Sequence, residues 1–334
     1  MRILLLLFFV VGTIRAEPTA PLRKRPEGKQ TSADPERFSP PRGVRAVRNL
    51  SYAAPDGEPR KLDLFLPENA ADDALPLIVQ LHGGGWWGGH RSHGVQRIMN
   101  MVATGKYAGA AVGYRLSVEA IWPAQIQDCK TAIRWLKAHA DQYGLDPERI
   151  GVFGRSAGGH LAAMLGVSAG VETFEGDGSI HPEQSSRVAC VVSHCGPSDL
   201  LTLNVYSNRV EPETPESQEA YLLGGMVKDR RALARNASPR YHVTPDDAPI
   251  LLVHGTHDKG VPYRQAKAFN HVLKQVGVDA SLVTILNEGH RFNRHPEMEA
   301  LVLHFFENHL LGARHPMGDR TFEKMAPLER GIDP

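Results

Sequence analysis

The chain has 334 residues, of which 42% are hydrophobic and 22% are charged, and its formal net charge is +1. This length is sufficient to bury one large hydrophobic core or two small ones. A nearly neutral charge argues against a surface that holds nucleic acid or a membrane by electrostatic attraction. The three cysteines, Cys129, Cys190 and Cys195, are an odd number and predict no disulfide framework. We expect them to be free thiols that pack as small hydrophobic side chains.

The N-terminus has the pattern of a secretory signal peptide over residues 1–16. A basic residue at position 2 precedes an apolar run over residues 4–11, which is too short to span a bilayer. We therefore expect a secreted or periplasmic protein whose mature chain has no membrane span, with an uncleaved anchor as the alternative. Residues 17–45 are rich in proline and charged side chains and predict a flexible leader.

The remaining pattern predicts a hairpin followed by alternating strands and helices. The hairpin is formed by Asn49–Ala54 and Lys61–Leu66. The apolar strands that follow are Leu77–Leu81, Ala108–Tyr114, Ile150–Phe153, Val188–Ser193, Ile250–Val253 and Ser281–Leu286. The predicted helices are Ala124–Ala140, Ala157–Val167, Tyr263–Val276 and Glu299–Leu311. This alternation implies a mostly parallel sheet that is covered by helices on both faces.

Two segments interrupt or follow this alternation. Residues 198–249 form a long polar stretch without regular strand signals. In this position we expect a helical cap insertion over the strand ends, with an ordinary surface excursion as the alternative. Residues 313–334 predict a loosely docked C-terminal tail.

Ser156 has the sequence context of a serine nucleophile. It follows the apolar segment Ile150–Phe153 and precedes a helix-forming run. Gly154 and Gly158 flank it, and a sharp strand-to-helix turn needs such small residues because larger side chains would collide with the strained backbone. The N-terminus of the following helix also places partial positive charge beside an oxygen that becomes negative.

A serine hydroxyl is a weak nucleophile and needs a base that is oriented by a third group. His290 follows the predicted strand Ser281–Leu286, and Asp258 follows the predicted strand Ile250–Val253. The carboxyl ends of strands are where open α/β sheets place their sites. We therefore predict that His290 is the base and that Asp258 is the acid that orients it.

Three other acidic residues are rivals of Asp258. Asp199 follows a predicted strand but also fits the start of a helix, so we assign it to capping and keep it as a minor alternative. Asp128 and Glu288 are weaker candidates, since Glu288 neighbours the base in sequence but is expected to point elsewhere.

A glycine-rich segment, His82-Gly83-Gly84-Gly85, follows the first apolar strand. Acyl transfer builds negative charge on a carbonyl oxygen, and backbone N–H groups stabilise it by about 3–4 kcal/mol each. We predict that Gly84, Gly85 and Ala157 supply these donors. No Gly-Lys-Ser/Thr sequence follows the run, which excludes a phosphate-binding loop of that type.

Trp86 and Trp87 come next, and we expect them to form a wall of the substrate pocket. Their rings could stack on a sugar or an aryl acid. The alternative is that one packs in the core and the other shields the loop. No metal site is predicted, because His254 and His257 lie in a loop that already carries the acid motif.

With these motifs, the chain resembles the α/β-hydrolase superfamily over roughly residues 45–312. Its segments His82–Trp86 and Gly154–His160 are similar to those of the hormone-sensitive-lipase-like group and of bacterial feruloyl and acetylxylan esterases. The hormone-sensitive-lipase pattern has Asp-Pro-Leu at the acid. Here Asp258 is followed by Lys-Gly-Val-Pro, as in the carbohydrate-esterase group and in prolyl-oligopeptidase-like hydrolases. The resemblance implies an α/β-hydrolase catalytic domain over residues 46–312 that cleaves carboxylic esters without a cofactor.

The sequence thus predicts a secreted serine carboxylesterase. Its expected substrates are acetyl or feruloyl esters of carbohydrate, or small aryl and short-chain esters. An amidase or peptidase with the same three residues, similar to kynurenine formamidase or to prolyl oligopeptidase, is the alternative. A non-catalytic binding module on this fold predicts the loss of one of the three residues, and none is lost here. The sequence leaves the oligomeric state open.

Overall fold

The structure is a computed structural model that describes residues 39–54, 56–69, 73–178, 180–204, 213–291 and 295–324. The predicted signal peptide, residues 1–16, lies outside the described residues, as does most of the predicted leader, residues 17–45. None of the helices in the described ranges has the length and apolar character that are needed to cross a bilayer.

Among the described residues, nine strands form one sheet in the order β1-β2-β4-β3-β5-β6-β7-β8-β9. β1 pairs antiparallel with β2, and β2 pairs antiparallel with β4, whereas all other neighbours are parallel. The strands are β1 (Val44–Ala53), β2 (Arg60–Pro67), β3 (Leu75–Leu81), β4 (Ala108–Val112), β5 (Leu145–Arg155), β6 (Cys190–His194), β7 (Ile250–Gly255), β8 (Ala280–Ile285) and β9 (Arg320–Phe322). The predicted hairpin and the mostly parallel sheet are therefore confirmed.

Helices cover both faces of this sheet. They are α1 (Gln96–Val102), α2 (Ala124–Ala138), α3 (Ala140–Tyr143), α4 (Ala157–Val167), α5 (Gln218–Leu223), α6 (Arg231–Asn236), α7 (Arg264–Gln275) and α8 (Pro296–Leu311). The arrangement is the α/β-hydrolase fold that the sequence predicts.

The core consists of two layers because side chains alternate between the faces of each strand. In β3, Leu77 and Val79 belong to the layer that contacts α2, α4 and α7, whereas Ile78 belongs to the layer under α1 and α8. Every residue of β3 is buried. Burying one large apolar side chain stabilises the fold by about 1.5–3 kcal/mol, so these two layers hold the sheet rigid beneath its loops.

The structure differs from the predicted elements in one strand boundary and one additional helix. β1 begins at Val44, inside the predicted leader, because the strand pairs with β2 as far as Val44 opposite Pro67. The helix α1 was not predicted from the sequence. It has seven residues and no side-chain cap at its N-terminus, so it lacks the usual helix start signal.

A short strand, β9, lies within the segment that the sequence predicts to be a loosely docked tail. β9 extends the sheet beside β8, and the Leu286 N–H donates to the Phe322 carbonyl at 2.8 Å. Just before this strand, the Asp319 carboxylate accepts the Leu282 N–H at 2.9 Å. The pairing partner of such a short strand lies far away in sequence, so local pattern does not reveal it. The last ten residues, 325–334, lie outside the described ranges.

Residues 198–249, the predicted cap, contain the short helices α5 and α6, while residues 205–212 lie outside the described ranges. This insertion is tied to the body of the domain at Trp122. The Trp122 N–H donates to the Leu222 carbonyl at 2.8 Å, and its indole Nε1–H donates to Asn236 Oδ1 at 2.7 Å. The insertion therefore lies against the loop that precedes α2.

We predict that Phe322→Ala lowers the free energy of unfolding by about 1–2 kcal/mol, because the half-buried ring packs on the α8 side of the core and against His295. Thr321→Ala in the same strand is the control, since Thr321 is exposed. Urea unfolding of both variants measures the difference. Equal stabilities for the two variants would show that β9 is as loosely docked as the sequence suggests.

Candidate active site

Ser156 lies at the turn between β5 and α4, and its backbone is in an unusual conformation with φ 55° and ψ −122°. A residue with a side chain is strained in this region and is held there by its surroundings. The Ser156 N–H donates to the His194 carbonyl at 2.8 Å, while the Ser156 carbonyl accepts the His160 N–H at 2.9 Å. These two bonds fix the turn to β6 and to the first turn of α4.

The glycines around Ser156 are required by close backbone contacts. A Cβ atom at Gly154 would overlap the Gly158 carbonyl, and a Cβ atom at Gly158 would overlap the Leu81 carbonyl. Both neighbours are backbone atoms in a buried region, so they cannot move aside without disrupting β3 and α4. The steric reason for glycine that the sequence suggests is thus present in the structure.

The structure brings the three predicted residues Ser156, His290 and Asp258 together. His290 Nε2 lies 2.9 Å from Ser156 Oγ, and His290 Nδ1 lies 2.7 Å from Asp258 Oδ2. Both distances are hydrogen-bond lengths. The arrangement lets the Ser156 hydroxyl donate to Nε2 while Nδ1–H donates to the carboxylate. It is the geometry that general-base activation of a serine needs.

Asp258 is buried, and its carboxylate is fully occupied by donors. The N–H groups of Gly260 and Val261 each donate to Oδ1 at 2.8 Å, and His290 donates to Oδ2. Burial alone would raise the pKa of Asp258. Hydrogen bonds from His254 and His290 outweigh burial and hold this pKa well below its usual range.

His290 is shifted in the opposite direction. Burial disfavours its charged form, but the hydrogen bond to Asp258 and the neighbouring Cys195 outweigh burial and raise the pKa of His290 to about 9. Its backbone carbonyl also accepts Arg155 Nη2 at 2.6 Å and lies 3.6 Å from Cys195 Sγ. His290 is therefore held by hydrogen bonds to its imidazole and to its main-chain carbonyl.

Two of the three rival acids, Asp199 and Asp128, bind partners outside this hydrogen-bonded series. Asp199 accepts Arg240 Nη1 at 3.1 Å and the Tyr241 hydroxyl at 3.2 Å, so it belongs to the insertion. Its Oδ1 accepts the Leu201 N–H, but the segment that follows is a turn, so the predicted helix start is wrong. Asp128 forms an ion pair with Arg115 at 2.7 Å.

The glycine-rich loop after β3 lies directly beside Ser156. A Cβ atom at Gly83 would lie 2.7 Å from the Arg155 carbonyl oxygen and 3.4 Å from Ser156 Cβ. Gly84 and Gly85 have φ values of 127° and 60°, which glycine adopts without strain. His82 stacks on Tyr114 with 4.3 Å between ring centroids, and this contact holds the start of the loop.

The predicted oxyanion donors lie at this loop and at the start of α4. Within the described part of the chain, the N–H groups of Gly84, Gly85 and Ala157 have no hydrogen-bond partner. Ala157 is the first residue of α4, and the first N–H groups of a helix have no partner inside it. These groups are available to an oxygen that develops negative charge beside Ser156.

The two tryptophans have different positions, which corrects the expectation that both form a wall of the pocket. Trp86 is buried, and its indole Nε1–H donates to His160 Nδ1 at 3.1 Å. Trp86 therefore packs in the core, where His160 is the acceptor that its buried N–H requires. Trp87 is half-buried and lies edge-on to Tyr221 of α5, with 5.3 Å between the ring centroids.

Sequence reasoning gave no role to two buried histidines that contact the site. His160 Nε2 lies 2.7 Å from the Ala237 carbonyl, so this ring connects α4 to the insertion as well as to Trp86. His254 Nε2 lies 3.2 Å from Asp258 Oδ2. A histidine at the end of an otherwise apolar strand, four residues before the acid, was the signal that could have identified His254.

Two groups of potential metal-ligating side chains occur among the described residues. One contains Cys195, Asp258 and His290, and there the carboxylate and the imidazole already bind each other. The other contains His304, Glu307 and His315. In this second group His315 Nε2 lies 2.8 Å from Glu307 Oε2, and the two imidazoles are stacked, with 4.0 Å between centroids and 9° between planes.

The chain is similar to several known proteins. Residues 62–273, more than half of the chain, match the model of the family BD-FAE. A relative from Mycobacterium tuberculosis, the probable carboxylic ester hydrolase LipM, is 30% identical over 80% of this chain and 61% of its own length. The chain thus spans about six tenths of the length of this curated relative.

Solved structures show the same fold. A truncated form of a carbohydrate esterase from gut microbiota is 29% identical, with a TM-score of 0.71 over 80% of this chain and 96% of that chain. A thermophilic esterase of Thermogutta terrifontis with bound propionate is 25% identical, with a TM-score of 0.65 over 83% of this chain and 97% of that chain. The matched range contains Ser156 and Asp258, whereas His290 lies beyond it. The chain therefore belongs to the BD-FAE family.

Proposed function

We propose that this protein is a serine carboxylesterase that hydrolyses carboxylic esters through an acyl-enzyme. The observation that carries the proposal is the continuous hydrogen-bonded series from Ser156 through His290 to the buried Asp258, at 2.9 and 2.7 Å. Its relatives include a probable carboxylic ester hydrolase and a carbohydrate esterase, which supports the same reaction class.

In the first step, Ser156 Oγ attacks the ester carbonyl while its proton moves to His290 Nε2. Asp258 holds Nδ1–H and stabilises the imidazolium that forms. The carbonyl oxygen becomes negative and is bound by the N–H groups of Gly84, Gly85 and Ala157. Removal of one such donor typically lowers kcat by about 10²–10³-fold.

Collapse of this intermediate breaks the bond to the alcohol, whose oxygen takes the proton from His290 Nε2. Water then enters at the acyl-enzyme, and His290 removes its proton in the same way. The carboxylic acid leaves, and the proton returns to Ser156 Oγ. Each proton transfer uses the same nitrogen, because Nδ1 stays bound to Asp258.

The proposed substrates are acetyl or feruloyl esters of carbohydrate, or small aryl and short-chain esters. The position of α5 supports a small acyl group, since Tyr221 contacts Trp87 and the Gln218 side chain lies against Gly85. These contacts limit the space above the glycine-rich loop. Bound propionate in the Thermogutta terrifontis esterase supports the same size of acyl group. Secretion or a periplasmic location remains a proposal, supported by the sequence pattern of residues 1–16.

We predict that Ser156→Ala lowers kcat/KM for p-nitrophenyl acetate by at least about 10⁴-fold, because the attacking oxygen is lost. Ser185→Ala is the control, since Ser185 is an exposed serine on another loop. Initial rates of p-nitrophenolate release measure both variants. Hydrolysis by Ser156→Ala at a rate close to the unsubstituted protein would refute the assignment of the nucleophile.

We predict that kcat/KM increases with pH and that the midpoint lies above the value of about 6.5 for a free histidine. Only unprotonated His290 accepts the Ser156 proton, and the hydrogen bond to Asp258 raises the pKa of His290 to about 9. The activity is therefore lost as the pH falls through this value. The pH dependence of p-nitrophenyl acetate hydrolysis, corrected for spontaneous hydrolysis, measures it. A midpoint at or below about 6.5 would contradict the expected effect of Asp258.

We predict a preference for short acyl chains, with kcat/KM at least about tenfold higher for p-nitrophenyl acetate than for the palmitate ester, because one misfitting methylene already costs about 1–3 kcal/mol. A panel that also contains methyl ferulate, acetylated xylan and N-formylkynurenine measures the preference. Faster hydrolysis of the long chain would refute the carbohydrate-ester proposal. A strong preference for the formamide would indicate an amidase.

A further inference from the structure

His254 is a second imidazole at the carboxylate that the proposed mechanism uses. It lies in β7, where the preceding residues Ile250–Val253 are apolar and buried, and its own side chain is 1% exposed. Burying a polar ring in such a strand is costly unless its nitrogens bind partners. The contacts of the ring therefore indicate why a histidine is present here.

One ring nitrogen faces two acceptors. His254 Nε2 lies 2.8 Å from the Val261 carbonyl oxygen and 3.2 Å from Asp258 Oδ2. Since neither neighbour is a donor, Nε2 carries the hydrogen and shares it between them. The other nitrogen, Nδ1, is buried and has no hydrogen-bond partner in the described part of the chain. The hydrogen bonds of this ring within the described residues are thus made by Nε2.

The same carboxylate oxygen accepts from both histidines. Asp258 Oδ2 lies 2.7 Å from His290 Nδ1 on one side and 3.2 Å from His254 Nε2 on the other. The His254 bond to the Val261 carbonyl also holds the end of the acid loop. The N–H of the same residue, Val261, donates to Asp258 Oδ1. His254 therefore contacts the acid directly and also fixes the loop that carries it.

We infer that His254 is a positioning residue that divides the negative charge of Asp258 between two donors and thereby limits how tightly the carboxylate holds the proton on His290. This inference rests on the proposed function. A hydrogen bond to a carboxylate stabilises its negative charge. The carboxylate then attracts a neighbouring cation, here the imidazolium of His290, less strongly. Without His254, Oδ2 would interact with His290 alone, and the imidazolium would be favoured more strongly.

Other charged or titratable groups near the two histidines come from several elements. Arg155 from the end of β5 and Cys195 after β6 contact the His290 carbonyl, and Ser156 contacts Nε2. His194 of β6 interacts electrostatically with His254. The centroid of the Tyr263 ring lies 6.0 Å from that of the His254 ring.

The test compares His254→Leu, which removes the donor, with His254→Gln, whose amide keeps a donor at a similar distance from the backbone. We expect His254→Leu to move the midpoint of the kcat/KM–pH profile upward by about 0.5–1 unit. Below the midpoint this shift lowers kcat/KM by about 3–10-fold, whereas KM changes little. His254→Gln is expected to keep the midpoint close to that of the unsubstituted protein. If His254→Leu does not fold, His254→Phe provides the same comparison with more of the ring volume retained.

A second readout does not depend on hydrolysis. The proton between His290 Nδ1 and Asp258 gives a low-field ¹H NMR resonance, which is expected to move further downfield in His254→Leu than in His254→Gln. Equal resonance positions and equal pH midpoints in the unsubstituted protein and His254→Leu would overturn the inference. If the unsubstituted protein hydrolyses no ester, the proposed function fails, and the resonance alone decides the role of His254.

Discussion

The strained backbone of Ser156 is the constraint on which the rest of the site depends. A φ of 55° at a residue with a side chain is stable only because the turn is held on both sides, by the His194 carbonyl and by the first turn of α4. β5 and β6 are buried central strands, so this strain is supported by the most rigid part of the sheet. Because the turn has this conformation, Ser156 Oγ at the end of β5 lies within hydrogen-bond distance of His290.

The same turn also fixes the groups that surround it. Its helix α4 carries His160, which is buried and binds Trp86 of the glycine-rich loop and Ala237 of the insertion. Burial lowers the pKa of His160 to about 4, so the ring is neutral and one nitrogen accepts while the other donates. His160 thus connects to the proposed nucleophile through its backbone N–H, and its neutral imidazole connects the oxyanion loop to the insertion. A charged ring in this position would lose its bond from Trp86.

Much of this arrangement could be predicted from the sequence, because it depends on strand ends and chain order. Ser156, Asp258 and His290 each follow an apolar strand, and parallel strands in one sheet bring such positions to one edge. β9 and α1 could not be predicted in this way, since a short strand or helix is stabilised by partners that are distant in sequence. The burial of Trp86 depends in the same way on a buried acceptor, His160, that lies 74 residues away.

The role of His254 shows most clearly what local pattern leaves out. A buried carboxylate is stable only when donors occupy its oxygens, and Asp258 accepts four: two from its own loop, one from His290 and one from His254. The loop donors follow from the sequence of the acid motif, since they lie two and three residues after it. The two imidazoles come from β7 and from the loop that follows β8. Because every donor lowers the affinity of the carboxylate for a proton, the donors that keep Asp258 ionised also limit the basicity it confers on His290. The stability of the buried acid and the strength of the base are therefore set by the same hydrogen bonds.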